Sequence, residues 1–178
     1  MTGPLPDITG PGMRLLLVGI NPGRRSAALG RHFAGHGNRF WPALYDAGIT
    51  PEPFGPADQT RLPALGVGLT NIVERETATA KELSPTELRA GGQRLVRMVG
   101  VWGPAVVAVL GVTAYRLAFD DPRAALGRRP HTGGDASWWV LPNPSGLNAH
   151  AKPADHARWL RTVAVAAGLP VATRGATG

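Results

Sequence analysis

The chain carries the stretch LLLVGINPG at residues 15–23, where an apolar run meets a tight turn. A short apolar run bounded by glycine and proline predicts a buried β-strand over Leu15–Gly19. The glycines and the proline of GINPG then let the backbone turn sharply and approach a ligand closely. Because ligands of open α/β sheets bind beyond the carboxyl ends of the strands, Asn21 is predicted to lie at the mouth of a pocket.

A second loop of the same character lies near the other end of the chain. The sequence LPNPSGL at Leu141–Leu147 also follows an apolar run, and it also contains an Asn-Pro pair. The carboxyl ends of parallel strands meet at one edge of a sheet. The two Asn-Pro loops therefore predict one active site built from both.

Strand and helix patterns alternate between these two loops. Strands are predicted at Leu15–Gly19, Val67–Val73, Ala105–Leu110 and Ser137–Leu141. Helices are predicted at Phe40–Ala47, Ser84–Trp102, Thr113–Phe119 and Pro153–Ala167. This order predicts an α/β fold of three layers, α/β/α, with a central, mostly parallel sheet of about four to five strands. We expect one domain over residues 13–168, loose termini at 1–12 and 169–178, and surface loops at 21–38 and 120–135.

Charge is the most informative property of the composition. The 178 residues include 19 Lys and Arg against 12 Asp and Glu, which gives a net charge of +7, and 17 of the basic residues are arginine. Arginine binds phosphate oxygens in a bidentate manner, so a nucleic-acid partner is favoured. The alternative is that the basic residues form a solvent-exposed surface with no nucleic-acid partner. Composition does not decide between these two interpretations. The absence of cysteine excludes disulfides and thiol catalysis and fits a reducing cytoplasm. No apolar run reaches the length of a membrane span.

The first loop, residues 21–38, is longer than most connections in α/β proteins and is therefore expected to be functional. Phe33 lies there among glycines and basic residues, which suits a flat base stacked on its ring; packing into the core is the other possibility. His32 and His36 have the spacing of a metal pair on a helix. The neighbouring glycines disfavour a helix and no third ligand is evident, so no metal is predicted.

Five motifs in order resemble the mismatch-specific uracil-DNA glycosylases, a family that includes the thymine-DNA glycosylases acting on G·T and G·U pairs. They are GINPG at 19–23, HFAGHGNRFW at 32–41, GLTNIVERETATAKELS at 68–84, AGG at 90–92 and LPNPSGL at 141–147. The similarity runs from about residue 13 to residue 168. The TNIVER segment is closer to the thymine branch, and NPSGL is closer to the bacterial mismatch-uracil branch.

The resemblance implies hydrolysis of the N-glycosidic bond of a flipped-out base. Asn21 would be the catalytic residue and would position the attacking water, because an asparagine is no base. Backbone N–H groups at Ile20 and Phe33 would stabilise the departing base, and the Phe33 ring would stack on it. Asn71 would contact the base or the water, with Thr77 close by. Ordinary loop hydrogen bonding is the alternative for Thr77.

The resemblance also implies that the NPSGL loop enters the DNA. Leu147 would fill the gap left by the flipped nucleotide, while Asn143, Ser145 and Gly146 would hold phosphate and the orphaned guanine. The bacterial branch usually has an arginine two residues after this leucine, and this chain has Ala149 there. This departure lies in the loop that would read the opposite guanine and not among the residues implied in base removal.

The resulting hypothesis is a monofunctional base-excision repair glycosylase that acts on uracil, and on other pyrimidines such as thymine, in G·U and G·T mismatches. It would be monomeric, need no cofactor, bind double-stranded DNA containing a mismatched or damaged base, contact no membrane and reside in the cytoplasm at the nucleoid. A lyase would need an amine nucleophile, and neither Lys81 nor Lys152 occupies a suitable motif. The alternative is a non-catalytic nucleic-acid-binding module on the same fold.

Overall fold

The computed structural model describes residues 4–130 and 132–174, which form a five-stranded sheet flanked by helices. The strands are β1 (Leu15–Gly19), β2 (Val67–Asn71), β3 (Val106–Leu110), β4 (Gly127–Arg128) and β5 (Ser137–Leu141). The α-helices are α1 (Arg24–Leu29), α2 (Phe40–Asp46), α3 (Pro85–Trp102), α4 (Val112–Ala118) and α5 (Pro153–Ala166). Short 3-10 helices cover Pro56–Arg61, Pro63–Leu65 and Ala80–Glu82. The predicted α/β class is confirmed.

The strands lie in the order β2-β1-β3-β5-β4. All neighbours pair in parallel except β4, which pairs antiparallel with β5, so the sheet is mostly parallel as predicted. The chain runs from β1 to β2 and then crosses to β3 on the other side of β1. Such a reversal of strand order opens a crevice between the carboxyl ends of β1 and β3, and Gly19, which pairs with Asn71 of β2, ends β1 there.

Alternate side chains of the strands fill two separate cores, one on each face of the sheet. Leu15 and Leu17 of β1 pack with α2 and α5, whereas Leu16 and Val18 pack with α3 and α4. Because both faces are covered, the strands read as continuous apolar runs rather than as alternating ones. This arrangement is the predicted three-layer α/β/α architecture.

Helix α3 begins as its capping signal predicts. The Glu87 N–H donates to Ser84 Oγ at 3.1 Å, and the Ser84 N–H donates to Glu87 Oε2 at 2.8 Å. The AGG motif has a packing function within this helix, since a Cβ at Gly91 would collide with the carbonyl of Ile72 and one at Gly92 with that of Ala118. The two glycines therefore allow α3 to lie directly against its neighbours.

The structure differs from the predicted loops at two places. Residues Arg24–Leu29, expected in a long loop, form α1, and Gly127–Arg128, expected in a second loop, form the edge strand β4. Helix α1 has no side-chain cap at Gly23 and only 6 residues, so neither a capping signal nor helical periodicity announces it. Strand β4 has 2 residues, too few to show any alternation.

The expectation of loose ends is wrong for the described parts of both termini. Ile8 exchanges two backbone hydrogen bonds with Leu69 of β2, at 2.9 and 2.8 Å, and its side chain is buried. At the other end Leu169 is buried, and the Arg174 guanidinium lies 3.7 Å from the centroid of the Tyr45 ring. Apolar side chains at these few positions bury enough surface to fix segments whose proline and glycine content otherwise suggests disorder.

Candidate active site

A large cleft opens at the carboxyl ends of β1, β2, β3 and β5, as the two Asn-Pro loops predict. The segments that line it are the connections following these strands. They comprise Gly19–Arg25, His32–Arg39 without Ala34, Asn71, Thr77–Lys81, Leu110–Thr113 and Pro142–Asn148 without Pro144. All the residues predicted for the site therefore lie around one cavity.

Asn21 is held in one orientation at the floor of this cleft. Its Nδ2 group donates to the Arg75 carbonyl at 2.8 Å and to Thr77 Oγ1 at 2.7 Å. A carbonyl only accepts hydrogen bonds, so the atom facing Arg75 must be the amide nitrogen. The amide oxygen then points away from these anchors, and no donor of the described residues reaches it. Asn21 thus presents a fixed acceptor to the cleft, which is the arrangement needed to orient a water molecule.

Thr77 supports Asn21 from a position far along the chain. Its side chain is 4% exposed, and its N–H donates to the Pro22 carbonyl at 3.1 Å, which ties the two loops together. The structure places Thr77 next to Asn21 rather than in an isolated turn. Glu74 lies outside this arrangement, because it is exposed and faces Arg94 at 3.5 Å.

The Phe33 ring lies between the core and the cleft. One face stacks on Phe40 with centroids 3.9 Å apart and an interplanar angle of 22°. A Cβ at Gly19 would lie 3.3 Å from the Cε1 and Cζ atoms at the edge of the ring. The residue is half-buried and lines the cleft. Core packing and base stacking were alternatives in the sequence, and the geometry accommodates both, because the side chain is fixed by Phe40 yet remains accessible.

Phe33 also adopts a strained backbone conformation, with φ of 52°. Such a conformation costs a non-glycine residue about 1–3 kcal/mol and persists only where the surroundings enforce it. The preceding residue, His32, is held on three sides: its N–H donates to Gln59 Oε1, its carbonyl accepts from Trp41 Nε1, and its Nε2 pairs with the Pro6 carbonyl at 2.8 Å. These contacts enforce the turn that directs Phe33 toward the cleft.

The buried position favours the neutral form of His32. Burial lowers its pKa below the ordinary 6.5, and the hydrogen bond to Pro6 and the charge of Asp7 oppose that shift only in part. Since the Pro6 carbonyl accepts, Nε2 must carry the proton. Within residues 4–130 and 132–174, no group of three His, Asp or Glu side chains could hold a metal ion.

Backbone donors face the cleft at the positions expected from the sequence. Neither the Ile20 N–H nor the Phe33 N–H has a hydrogen-bond acceptor among the described residues. Ile20 is nevertheless fixed, because its carbonyl accepts from the Val73 N–H at 2.9 Å and its side chain packs over Gly111. Two rigid N–H groups without protein partners can stabilise a carbonyl oxygen or a developing anion there.

Asn71 contributes a buried amide at the same edge of the sheet. The residue is 7% exposed, and its carbonyl accepts from Arg94 Nη2 at 2.8 Å. Its side-chain amide makes no hydrogen bond with any residue in the described part of the chain. A Cβ at position 19 would collide with Asn71 Oδ1, so the first glycine of GINPG is what allows this amide to lie against β1.

The NPSGL loop projects from the end of β5 beside the cleft. Asn143 Oδ1 accepts from the Ser145 N–H at 3.0 Å, and Ser145 Oγ accepts from the Leu147 N–H at 3.3 Å. These bonds form successive tight turns that place Leu147 at the tip, where it is 83% exposed. Leu147 is therefore no core residue. Gly146 lies against the backbone of Gly37, at a distance that a Cβ would not permit without movement, so the NPSGL loop touches the HFAGHGNRFW segment.

The electrostatics of the cleft suit a polyanion. Arg24, Arg25, Arg39 and Lys81 line it, and none of the lining residues in the described ranges is an aspartate or a glutamate. A negatively charged backbone would meet only positive and neutral groups there. The lining in the described ranges also holds no carboxylate that could act as a general base, whereas the Asn21 amide offers a fixed acceptor there.

The sequence that forms this fold and this cleft matches a known protein family. Residues 6–164 match the model of the uracil DNA glycosylase superfamily. The chain belongs to the uracil DNA glycosylase superfamily. The general activity follows from this membership: the protein is a DNA glycosylase. It hydrolyses the N-glycosyl bond of a base in base-excision repair. DNA is accordingly the partner of this protein. No helix in the described part of this glycosylase has the length and apolarity needed to cross a membrane.

Sequence reasoning overlooked two residues that organise the glycosylase site. His32 was considered only as a metal ligand, yet it holds the Phe33 turn; Arg39 was not singled out, yet it contacts the NPSGL loop at several points. Both lie in the HFAGHGNRFW motif, so the motif carried the signal. Apart from Trp41, their partners lie outside the motif, so spacing within it does not reveal them.

Proposed function

We propose that this glycosylase removes uracil from G·U mismatches, with thymine in G·T pairs as a further substrate. The observation that carries the proposal is the Asn21 amide, fixed by Arg75 and Thr77 with its oxygen free at the bottom of a positive cleft. The resemblance of the GINPG, TNIVER and NPSGL segments to the mismatch-specific branch supplies the substrate class.

The chemistry that fits these groups is a dissociative hydrolysis. The bond between the base and C1′ breaks first, and the sugar becomes cation-like, so a neutral water positioned by Asn21 suffices as nucleophile. The base leaves with the bonding electron pair, and the N–H groups of Ile20 and Phe33 stabilise the resulting anion. The water oxygen bonds to C1′ and its proton neutralises the base anion, so the products are a free base and an abasic site.

Access to the base requires that the nucleotide leave the helix, and the exposed Leu147 at the tip of the NPSGL loop is suited to occupy the vacated space. Asn143 and Ser145 use part of their hydrogen-bonding capacity inside the loop, while the Asn143 Nδ2 group and the Ser145 hydroxyl proton remain available for phosphate or for the opposite guanine. Ala149 offers no charge for this purpose, so preference for opposite guanine rests on the loop itself. A monomer in the cytoplasm is the form in which we expect the protein to act.

The test is base release from labelled duplexes. Duplexes that differ only at one pair, G·U, A·U, G·T or G·C, are incubated with protein, then split into samples with and without hot alkali. The proposal predicts cleavage of G·U after alkali at a rate above that of A·U, none without alkali and none for G·C. Tight binding without any product would favour a non-catalytic binding module. Equal rates on G·U and A·U would refute the mismatch preference.

A further inference from the structure

Arg39 joins the two parts of the site. It lies at the start of α2, directly before Phe40, whose ring supports Phe33. Its N–H donates to the Pro144 carbonyl at 2.9 Å, so the backbone of the NPSGL loop is bonded to the residue beside the stacking platform. Arg39 is thus placed to determine where the loop stands relative to the base pocket.

The Arg39 side chain holds the other end of the same loop. Its Nη1 group donates to the Asn148 carbonyl at 3.3 Å and also to the Ala151 carbonyl. No aspartate or glutamate of the described residues forms an ion pair with this half-buried guanidinium. The guanidinium is therefore bonded to the carbonyls of Asn148 and Ala151, and the Arg39 N–H is bonded to that of Pro144. These carbonyls lie before and after Leu147 in the sequence.

We infer that Arg39 is a positioning residue that braces the NPSGL loop against the base-stacking platform and thereby sets how efficiently Leu147 holds a duplex open. The inference rests on the proposed function, since it assumes that the loop enters DNA. Inserting a mobile loop into DNA costs conformational entropy, which reduces the free energy gained when Leu147 is inserted. A braced loop is already ordered in the free protein and avoids this cost. A phosphate contact by Arg39 is the competing role.

Lysine distinguishes these roles at position 39, because it keeps the positive charge but its side chain is one bond shorter than that of arginine, so its Nζ stops short of the Nη1 position from which both carbonyls are reached. If Arg39 contacts phosphate, Arg39→Lys retains function and the neutral Arg39→Gln loses DNA affinity. If Arg39 braces the loop, both variants lose duplex opening. Arg97→Lys is the matched control, because Arg97 is exposed on α3 and makes no hydrogen bond or ion pair within the described ranges.

The experiment measures opening and chemistry separately. Opening is followed by the fluorescence of 2-aminopurine beside a non-hydrolysable 2′-fluoro-2′-deoxyuridine opposite guanine, and chemistry by single-turnover release from a G·U duplex. We expect Arg39→Lys to lower both by about tenfold, the scale of a charge-assisted hydrogen bond, with duplex affinity and melting temperature close to those of Arg97→Lys. A wild-type fluorescence response in Arg39→Lys overturns the inference, whether or not the rate of base release is reduced.

Two controls separate this inference from the proposed function and from folding. A wild-type protein that releases no uracil overturns the proposed function and the brace together, before any variant is compared. An active wild type with unaffected Arg39→Lys and Arg39→Gln overturns the brace alone. Where Arg39→Lys melts at a lower temperature, Arg39→Gln provides the comparison at a temperature where both proteins are folded.

Discussion

Leu147→Ala tests the role of the exposed loop tip. The substitution removes the equivalent of three CH₂ groups, each contributing about 0.8 kcal/mol when buried. Since the side chain is 83% exposed in the free protein, insertion into DNA can bury most of it, which gives about 2 kcal/mol. Incomplete sealing of the gap reduces this value, so we expect the G·U duplex rate to fall by about 5- to 30-fold.

The assay compares substrates that need the side chain with one that does not. Single-turnover rates are measured on the G·U duplex and on uracil in a single strand, where no stack has to be repaired, and the melting temperature is recorded in parallel. The single-strand rate and the melting temperature should hardly change, because exposed substitutions alter stability by about 0.5 kcal/mol or less. Val101→Ala, at an equally exposed apolar site on α3, serves as the control. Equal losses on both substrates, or a loss of stability of about 2–5 kcal/mol, would refute the insertion role.

Two further properties follow from the charges. Duplex binding should weaken with salt, with log K falling at a slope of roughly −4 against log salt if the basic side chains around the cleft neutralise four or five phosphates; a flat response in a filter-binding series would contradict this. Thermal stability should decline as the pH falls below 6.5. Burial lowers the folded-state pKa of His32 and His156, and the charge of Arg39 adds to the effect at His156. The unfolded chain therefore binds more protons than the folded protein in that pH range, which favours unfolding. Calorimetry at pH 8, 6.5 and 5 checks it, and a melting temperature that stays constant from pH 6.5 to 5 would count against it.

The strands and long helices of the fold could be predicted because their signals are local. The run that forms β1 is apolar throughout and ends at a glycine, and α3 carries a capping box with proline at its first position. Helix α1 and strand β4 had no such signals. The docking of Ile8 beside Leu69 depends on a partner 61 residues away, and the apolar content of residues 4–12 is too low to announce it.

The residues that line the candidate site could be predicted from the sequence, but the contacts that hold them in place could not. Asn21 and Thr77 are 56 residues apart, and the parallel register of β1 with β2 brings them together. Their roles came from the resemblance of whole motifs, since spacing alone gives no reason to pair them. The bracing by Arg39 depends on long-range contacts to backbone carbonyls, which are the same in every sequence and therefore leave no trace in it. The locking of His32 depends on Pro6 and Gln59, which lie 26 and 27 residues away along the chain.

The most direct test of the account is the single-turnover rate of Asn21→Ala on a G·U duplex. The substitution removes the fixed amide oxygen and leaves the charged rim of the cleft and the loop tip in place. We predict a rate at least about 10²-fold below wild type, the scale of a lost transition-state donor or positioning group, with duplex affinity nearly unchanged. Base release by Asn21→Ala at a rate close to that of the wild type would contradict the assignment of this cleft as the catalytic site.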